Sequence, residues 1–435
     1  MKKVHLVQAE AAEDAEQRVV LPEQVQLSLL EIGGAAKEGL MALAVGAGLA
    51  VLHECMEDEV DQVVGPKGRH DANRTAKRHG HTDGEVTLGG RRVPISRPRV
   101  RTADDDAEIG LDCYGLFSSR DMLERVVLER MLAGVSARRC RRVAEPVGEQ
   151  IEHDSRSTSK SATSRTFVSG TRAALDELLG RELSDLELAV CMIDGIELAG
   201  MTHVVALGIT VDGTKVPLSL REGSTENATV ATALLTDLTN RGLRLGEQQL
   251  FVLDGAKALR KAVRDVAGTR ALVHRCHRHK ERNVVDHLPD RERPWVRAKL
   301  RKAWADPDHA RALASLKALA AQLERVYPDA AGSLREGMEE TLTLTRLGVS
   351  GALWRTLCST NPIESMIGTV RQTQRNVKRW REGDMRLRWT AAGMAEAQNS
   401  FRRVKGHRDL PKLLAAIRRE LHPTPTKEAT ALIAA

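Results

Sequence analysis

Asp194 and Asp254 each close a short apolar run and precede a glycine: Leu186–Ile193 leads into Asp194-Gly195, and Leu250–Leu253 leads into Asp254-Gly255. Four to eight largely apolar residues stopped by Asp-Gly read as a buried strand that ends on a carboxylate. Carboxylate oxygens suit Mg2+, which keeps part of its water and also binds substrate phosphate. Two-metal phosphoryl transfer needs such carboxylates to converge within about 5 Å, with the ions about 3.5–4 Å apart. The glycines would let backbone and phosphate approach closely. A third ligand could come from a helix packed on the strands, and Glu364 is the best placed. Plainer readings stand beside this one. Asp-Gly after a strand is most often a turn, and Glu364, three residues beyond Asn361, fits the reciprocal half of a capping box. Glu197, Asp212, Glu226 and Asp286 are rival acids.

A second constellation is Cys276-x-x-His279 in HRCHRHKERN. It is half of a zinc pattern, and a structural zinc site needs four ligands. His274, His277 and His287 are near, but no second cysteine pair accompanies them. The pair is therefore expected to brace a loop or shape the site, with Arg275, Lys280 and Arg282 facing phosphates. In STNPIESMIGTVRQTQRNVKRW, Pro362 is a favoured first helical residue. The helix it starts should run to about Trp380, with Arg371, Arg375, Lys378 and Arg379 on an exposed, phosphate-contacting face. Trp295, Trp304 and Trp354 read either as buried anchors or as stackers on a flipped base.

The elements that must position these residues can be read from pattern. Strand-like runs at 186–193, 201–210 and 214–220 are joined by turns, the second of them Val211-Asp212-Gly213-Thr214. A helix at about 225–240, the run ending at Asp254, a helix carrying Ala256, Leu259, Val263 and Ala267, and a fifth strand before Cys276 complete the series. This predicts an α/β fold: a ribonuclease-H-like mixed five-stranded sheet in which the first and fourth strands are neighbours. Asp194 and Asp254 would then meet across 60 positions (254 − 194). Residues 184–288 form the first part of this core, 289–358 an all-helical insertion, 359–421 the second part with the Glu-bearing basic helix, and 422–435 a tail.

Ahead of the core, 1–120 reads as a mainly helical region suited to DNA binding. It has a small-residue helix over 21–56, broken at Gly33-Gly34, which either core packing or a dimer contact would satisfy, and a turn-rich basic stretch at 64–82. A hairpin over 85–101 bends at Gly89-Gly90. Arg91, Arg92, Arg97, Arg99 and Arg101 make that hairpin a basic ribbon, either a solvated face or a phosphate-contacting arm, before an acidic turn at Asp104–Glu108. Residues 121–183 read as helix-turn-helix-like: a helix ending near Gly134, a short helix from Ser136 to Val143, and a polar helix over 157–167. A further amphipathic helix covers 171–183.

Composition sets the bounds. The 435 residues suggest about three domains. Lys+Arg number 66 against 59 Asp+Glu, for a net charge of +7, which favours a polyanionic partner. Aromatic residues are only 3%, against extensive base-stacking platforms. Six scattered cysteines fit a reducing cytoplasm. The first residues lack the apolar core of a signal peptide, and Leu40–Leu52 is too short to span a membrane.

Three blocks together carry a resemblance: CMIDGIELAG followed by VVALGITVDGTKVPL; LFVLDGAKALRKAV continuing to HRCHRHKERNVVDHLP; and STNPIESMIGTVRQTQRNVKRW. Over about 120–410 the chain resembles bacterial insertion-sequence transposases of the Mutator type. That resemblance implies a ribonuclease-H-like core with an Asp-Asp-Glu triad at Asp194, Asp254 and Glu364. A helical insertion would fill the gap of 110 positions (364 − 254), and Cys276 and His279 would be the Cys-x-x-His signature. It further implies two Mg2+ ions, with Mn2+ able to substitute, and DNA strand cleavage and transfer. The partners would be the terminal inverted repeats, target DNA and a second copy or more of the chain, in a nucleoid-associated bacterial setting. Ala258 and His274 depart from the family's Gly and Gln. A catalytically silent DNA-binding descendant and a ribonuclease-H-like nuclease are the alternatives.

Overall fold

The computed structural model describes residues 40–422, except 70–73, 89, 120, 145–146, 148, 156–158, 199, 224–226 and 382. The predicted Gly33-Gly34 break, Gly89, Ser157, Glu226 and the tail from 423 lie outside the described residues. The chain divides into two compact units, Met1–Leu123 with Arg138–Thr163, and Glu124–Ala137 with Ser164–Ala435.

In the first unit, a helix over Leu40–Val64 packs on an antiparallel ribbon of β1 (Ala76–Leu88) and β2 (Arg91–Thr102), extended by the short β3 (Glu108–Ile109). Leu52, Met56, Val60 and Val64 recur every fourth residue, so they share the helix face that buries Val86, Val93 and Val100. The ribbon is longer than expected. The polar stretch from Ala76 is not a turn but pairs with β2 up to Thr102, with one irregularity between Arg78 and His81. It reads as loop because its side chains, apart from Ala76, stay at least partly in solvent.

The basic ribbon is not a free cationic face. Arg91 is 1% exposed and ion-pairs with Glu152 at 2.6 Å. Arg92 donates to Glu85, Thr87 and the Ser118 carbonyl. Arg97 and Arg99 share Glu108, and Arg101 pairs with Asp105. The acidic turn after the hairpin thus neutralises Arg97, Arg99 and Arg101.

The helix Asp121–Leu132 ends as expected near Gly134, which takes φ +97° while Val135 N–H donates back to Arg130 O. The next stretch departs from the helix-turn-helix reading. Residues 137–143 form turns rather than a second helix, and one continuous helix, Lys160–Gly180, replaces the two expected over 157–167 and 171–183. Gly170 does not break it: the glycine lies against Leu128, and the buried Thr171 hydroxyl donates to Phe167 O at 2.8 Å.

The sheet is mixed and five-stranded, as predicted, with β4 (Leu188–Leu198), β5 (Met201–Thr210), β6 (Lys215–Gly223), β7 (Leu250–Leu253) and β8 (Leu272–Arg275) in the order β6-β5-β4-β7-β8. Tight turns make β4, β5 and β6 an antiparallel meander. The Asp212 carboxylate accepts from Thr210 and Thr214 inside one of these turns, which holds it down at about 2, so this rival acid serves the turn. The parallel pairings β4–β7 and β7–β8 instead come after crossovers through helices Ala228–Asn240 and Lys257–Ala267.

Both sheet faces are covered. Val190, Met192 and Val252 pack under Ile363, Met366 and Val370 of the helix Asn361–Gln374, together with helices Met385–Asn399 and Leu410–Leu421. Cys191, Ile193, Phe251 and Leu253 face the two crossover helices through Leu234, Leu238, Leu259 and Val263. Burial on both sides explains why these strands read as continuous apolar runs. Beyond Cys276 the described residues contain helices and no strand. Helices Arg293–Trp304, His309–Glu324 and Pro328–Arg335 share a core of their own, from Val284 to Leu342. No helix among the described residues is long and apolar enough to cross a membrane.

Candidate active site

Asp194 does not end its strand. β4 runs on to Leu198, because its hairpin with β5 continues to the pair Leu198–Met201. The parallel ladder with β7 stops earlier, at Ile193–Leu253. Asp194 and Asp254 are therefore the first residues past the last rung on two neighbouring strands. Each has one oxygen fixed by a backbone N–H: Asp194 Oδ1 accepts from Gly195 and Asp254 Oδ1 from Ala256, both at 2.8 Å. Neither carboxylate has an ion-pair partner among the described residues. Burial, then the charge of Asp254 and more weakly that of Glu364, pushes the Asp194 carboxyl up to about 6, against the Gly195 N–H and His279, which pull it down.

Gly255 has a structural duty that the sequence does not show. It takes φ +105°, and a Cβ there would run into the guanidinium of Arg275. Gly337 (φ +60°) meets the same side chain from elsewhere in the chain. Arg275 is buried and donates to Gly255 O, Glu336 O and Glu336 Oε2, each at 3.0 Å. Lys280 is also fully buried and donates to the carbonyls of Ser333 and Glu336 at the end of helix Pro328–Arg335. Burial, with the Arg275 charge beside it, pushes its ammonium down to about 8. These two cations fasten the helical segment to the strand tips, where helix-end carbonyls welcome positive charge. They do not face phosphates as the sequence reading places them.

Glu364 sits in the first turn of the helix Asn361–Gln374, which ends six residues short of Trp380 (380 − 374). The capping box with Asn361 does not form. Instead Glu364 Oε1 accepts from the Thr360 hydroxyl at 2.7 Å, and Oε2 lies 3.3 Å from the Arg278 guanidinium. His279 Nε2 is 4.0 Å from Oε1. Among the described residues, the group of metal-capable side chains whose donor atoms all lie within 4.8 Å of one another is Cys276, His279 and Glu364. The aspartates stand outside this group.

Cys276 joins the strand tips, its N–H donating to Leu253 O at 2.8 Å. Burial pushes its thiol up, but hydrogen bonds with His279 and Thr360 outweigh this and leave it below the ordinary range. The contact with Cys276 in turn raises His279, and the charges of Asp194 and Asp254 add to that. The neighbouring histidines do not complete a zinc site. His277 stacks on Trp304 with ring centroids 4.3 Å apart and bonds to Thr341 O, and His274 meets the edge of His277. His287 is exposed.

Arg282, Arg371, Arg375, Lys378 and Arg379 are all at least partly exposed, with no acidic partner among the described residues. The last three lie beyond the helix end, in a loop rather than on a helical face. Of the tryptophans, Trp304 is buried with its N–H on Thr341, and Trp295 binds Glu292, so both act as anchors. Trp380, which the sequence reading passes over, is half-buried against Trp389 and flanked by Arg379 and Arg381. Its signal is the run Lys378-Arg379-Trp380-Arg381.

Comparison with known proteins bears on this arrangement. Residues 32–403 match the family described as transposase, Mutator family. The chain is 31% identical over 198 residues to the transposase for insertion sequence element IS6120 of Mycolicibacterium smegmatis, covering 44% of this chain and 59% of that protein. It is 27% identical over 331 residues to the transposase for ISRM5 of Rhizobium meliloti, covering 74% of this chain and 79% of the relative. The transposase for IS1081 of Mycobacterium tuberculosis is 24% identical over 384 residues, 86% of this chain and 89% of its own length. A match of this extent takes in both aspartates, the Cys-x-x-His pair and Glu364, and with it the chain belongs to the Mutator family of transposases.

Proposed function

We propose that the protein is the transposase of an insertion sequence, binding its terminal inverted repeats and catalysing Mg2+-dependent strand cleavage and strand transfer on a ribonuclease-H-like core. The observation that carries the reading is the placement of Asp194 and Asp254 just past the last rung of adjacent parallel strands, with the charge of Glu364 felt at Asp194. The strand order β6-β5-β4-β7-β8, an antiparallel meander and then two parallel additions, supports the ribonuclease-H-like assignment. The relatives, each a transposase for an insertion sequence element, support the substrate class.

The donor set fits a hard divalent ion: carboxylate oxygens suit Mg2+, and the two aspartates, which have no ion-pair partner among the described residues, are what such an ion relieves. Asp194, Asp254 and Glu364 would hold it. When bound, divalent ions polarise the attacking water or 3′-hydroxyl and stabilise the leaving oxygen. The backbone N–H groups of Gly195 and Ala256 fix one oxygen of each aspartate and would leave the other for the ion. Arg282, Arg371, Arg375, Lys378 and Arg379 serve as contacts to the DNA backbone, and the active assembly contains two or more copies of the chain.

Asp194→Asn tests the assignment. With a DNA fragment carrying the element's end, the variant should bind as the wild type does and leave the strand uncut in Mg2+. Cutting at an undiminished rate would reject the carboxylate assignment.

A further inference from the structure

Thr360 is 0% exposed and stands between the Cys-x-x-His pair and Glu364. Its hydroxyl lies 2.7 Å from Glu364 Oε1, 3.4 Å from His279 Nδ1 and 3.5 Å from Cys276 Sγ. Its backbone N–H donates to the same sulfur at 3.4 Å, and its carbonyl accepts the Glu364 N–H at 2.9 Å. A hydroxyl has one proton and two lone pairs. The shortest contact, to a carboxylate that can only accept, takes the proton. The oxygen is then left to accept from His279, and the Cys276 sulfur takes the Thr360 backbone N–H.

A bound ion is the other way to read three metal-capable side chains so close together. Zinc needs its ligands at about 2.0–2.3 Å. The Thr360 oxygen already lies within 3.5 Å of a donor atom of all three residues. An ion entering among them would have to displace a buried side chain whose main chain is held on both sides. The hydroxyl already links the three side chains without an ion.

We propose that Thr360 is the positioning residue for Glu364: its hydroxyl fixes the carboxylate's orientation at the start of the helix Asn361–Gln374, and Cys276 and His279 in turn hold Thr360 in place. This rests on the reading of Glu364 as a metal ligand. It gives the Cys-x-x-His pair a role that needs no zinc. The pair orients an acceptor-only side chain from outside the ion's own shell, where losing an orienting partner typically costs about 10–100-fold in metal affinity.

The experiment titrates the full-length protein with Mn2+ and follows the free ion by electron paramagnetic resonance. Thr360→Val, which keeps the shape and removes the hydroxyl, should bind Mn2+ about tenfold more weakly. Its metal-free melting should be close to wild type. Thr360→Ser should restore the affinity. Wild-type affinity in Thr360→Val, with Glu364→Gln binding poorly, overturns the proposal while leaving Glu364 a ligand. Undiminished Mn2+ binding by Glu364→Gln overturns the ligand reading and the proposal with it. If Thr360→Val does not fold, Thr360→Cys, a weaker donor of similar size, should shift the affinity in the same direction, and its failure to do so is equally decisive.

Discussion

Ile193 and Leu253 form the last parallel rung between β4 and β7, and both chains continue from that rung into an aspartate. The crossover helix Ala228–Asn240 makes β7 parallel to β4, so the two carboxylates emerge at the same edge. Two acids placed side by side without a cation repel each other, and function is often bought with stability in this way. Asp194→Asn should therefore melt about 2–4 °C higher than the wild type in the absence of divalent ions, the effect of roughly 1 kcal/mol in a domain of this size. It should also lose the wild type's gain in melting temperature on adding Mg2+. Calorimetry with and without the ion measures both, and a lower metal-free melting temperature would contradict the account.

Arg275, Lys280 and Arg282 look alike in the sequence and differ in the fold. Lys280→Ala should lower stability by about 2–4 kcal/mol, because it leaves the carbonyls of Ser333 and Glu336 buried without a donor and opens a cavity. Denaturant titration reads this directly. Arg282→Ala should leave the denaturation midpoint in place and reduce the salt dependence of DNA binding. If the two variants exchanged these behaviours, the division between fastening and phosphate-contacting cations would be wrong.

The difference between those residues marks what was legible in the sequence. The five-strand order was readable because apolar runs, a turn at Val211–Thr214 and two Asp-Gly stops are local patterns that agree with one another. Partnership across long separations was not. Nothing near Arg91 announces Glu152, and nothing near Lys280 announces Ser333, so clusters of arginine and lysine read as open surface when they are internal ties. Gly170 shows the same gap in helices, since a glycine that would break an isolated helix is held inside a longer one by packing against Leu128. The environment of Glu364 was hidden likewise, because nothing in the motif shows the Thr360 hydroxyl between it and Cys276 and His279.

The stacked His277–Trp304 pair makes stability sensitive to acid. Burial pushes His277 down to about 4 from an ordinary value near 6.5, and His274 beside it lies lower than usual for the same reason. A histidine with a depressed folded value contributes fully above its unfolded value. That contribution is lost as pH falls from about 6.5 through 4, because the unfolded chain takes up the proton first. For His277 the ceiling is roughly 3 kcal/mol at 1.36 kcal/mol per unit. His277→Phe, which keeps an aromatic ring against Trp304, should lower the slope of unfolding free energy against pH between pH 4 and 6.5. Denaturant titrations at several pH values decide it, and an unchanged slope assigns the acid sensitivity elsewhere.

Arg371, Arg375, Lys378 and Arg379 straddle the end of the helix that begins with Glu364, three of them in the loop that leads to Trp380. Asn376 in the same loop donates to Gly134 O at 2.7 Å, so this stretch is tethered rather than loose. Held cations without acidic partners are placed to neutralise phosphates, and each cation removed from a phosphate should reduce the slope of log binding constant against log salt by about 0.9. Replacing Arg375 and Lys378 by glutamine should therefore flatten the slope by about two and weaken binding to specific and random duplexes alike. Titrations of labelled duplexes across a range of salt concentrations provide the measurement. A full wild-type slope in the double variant would make this loop a solvated surface and move the DNA path to another face of the unit.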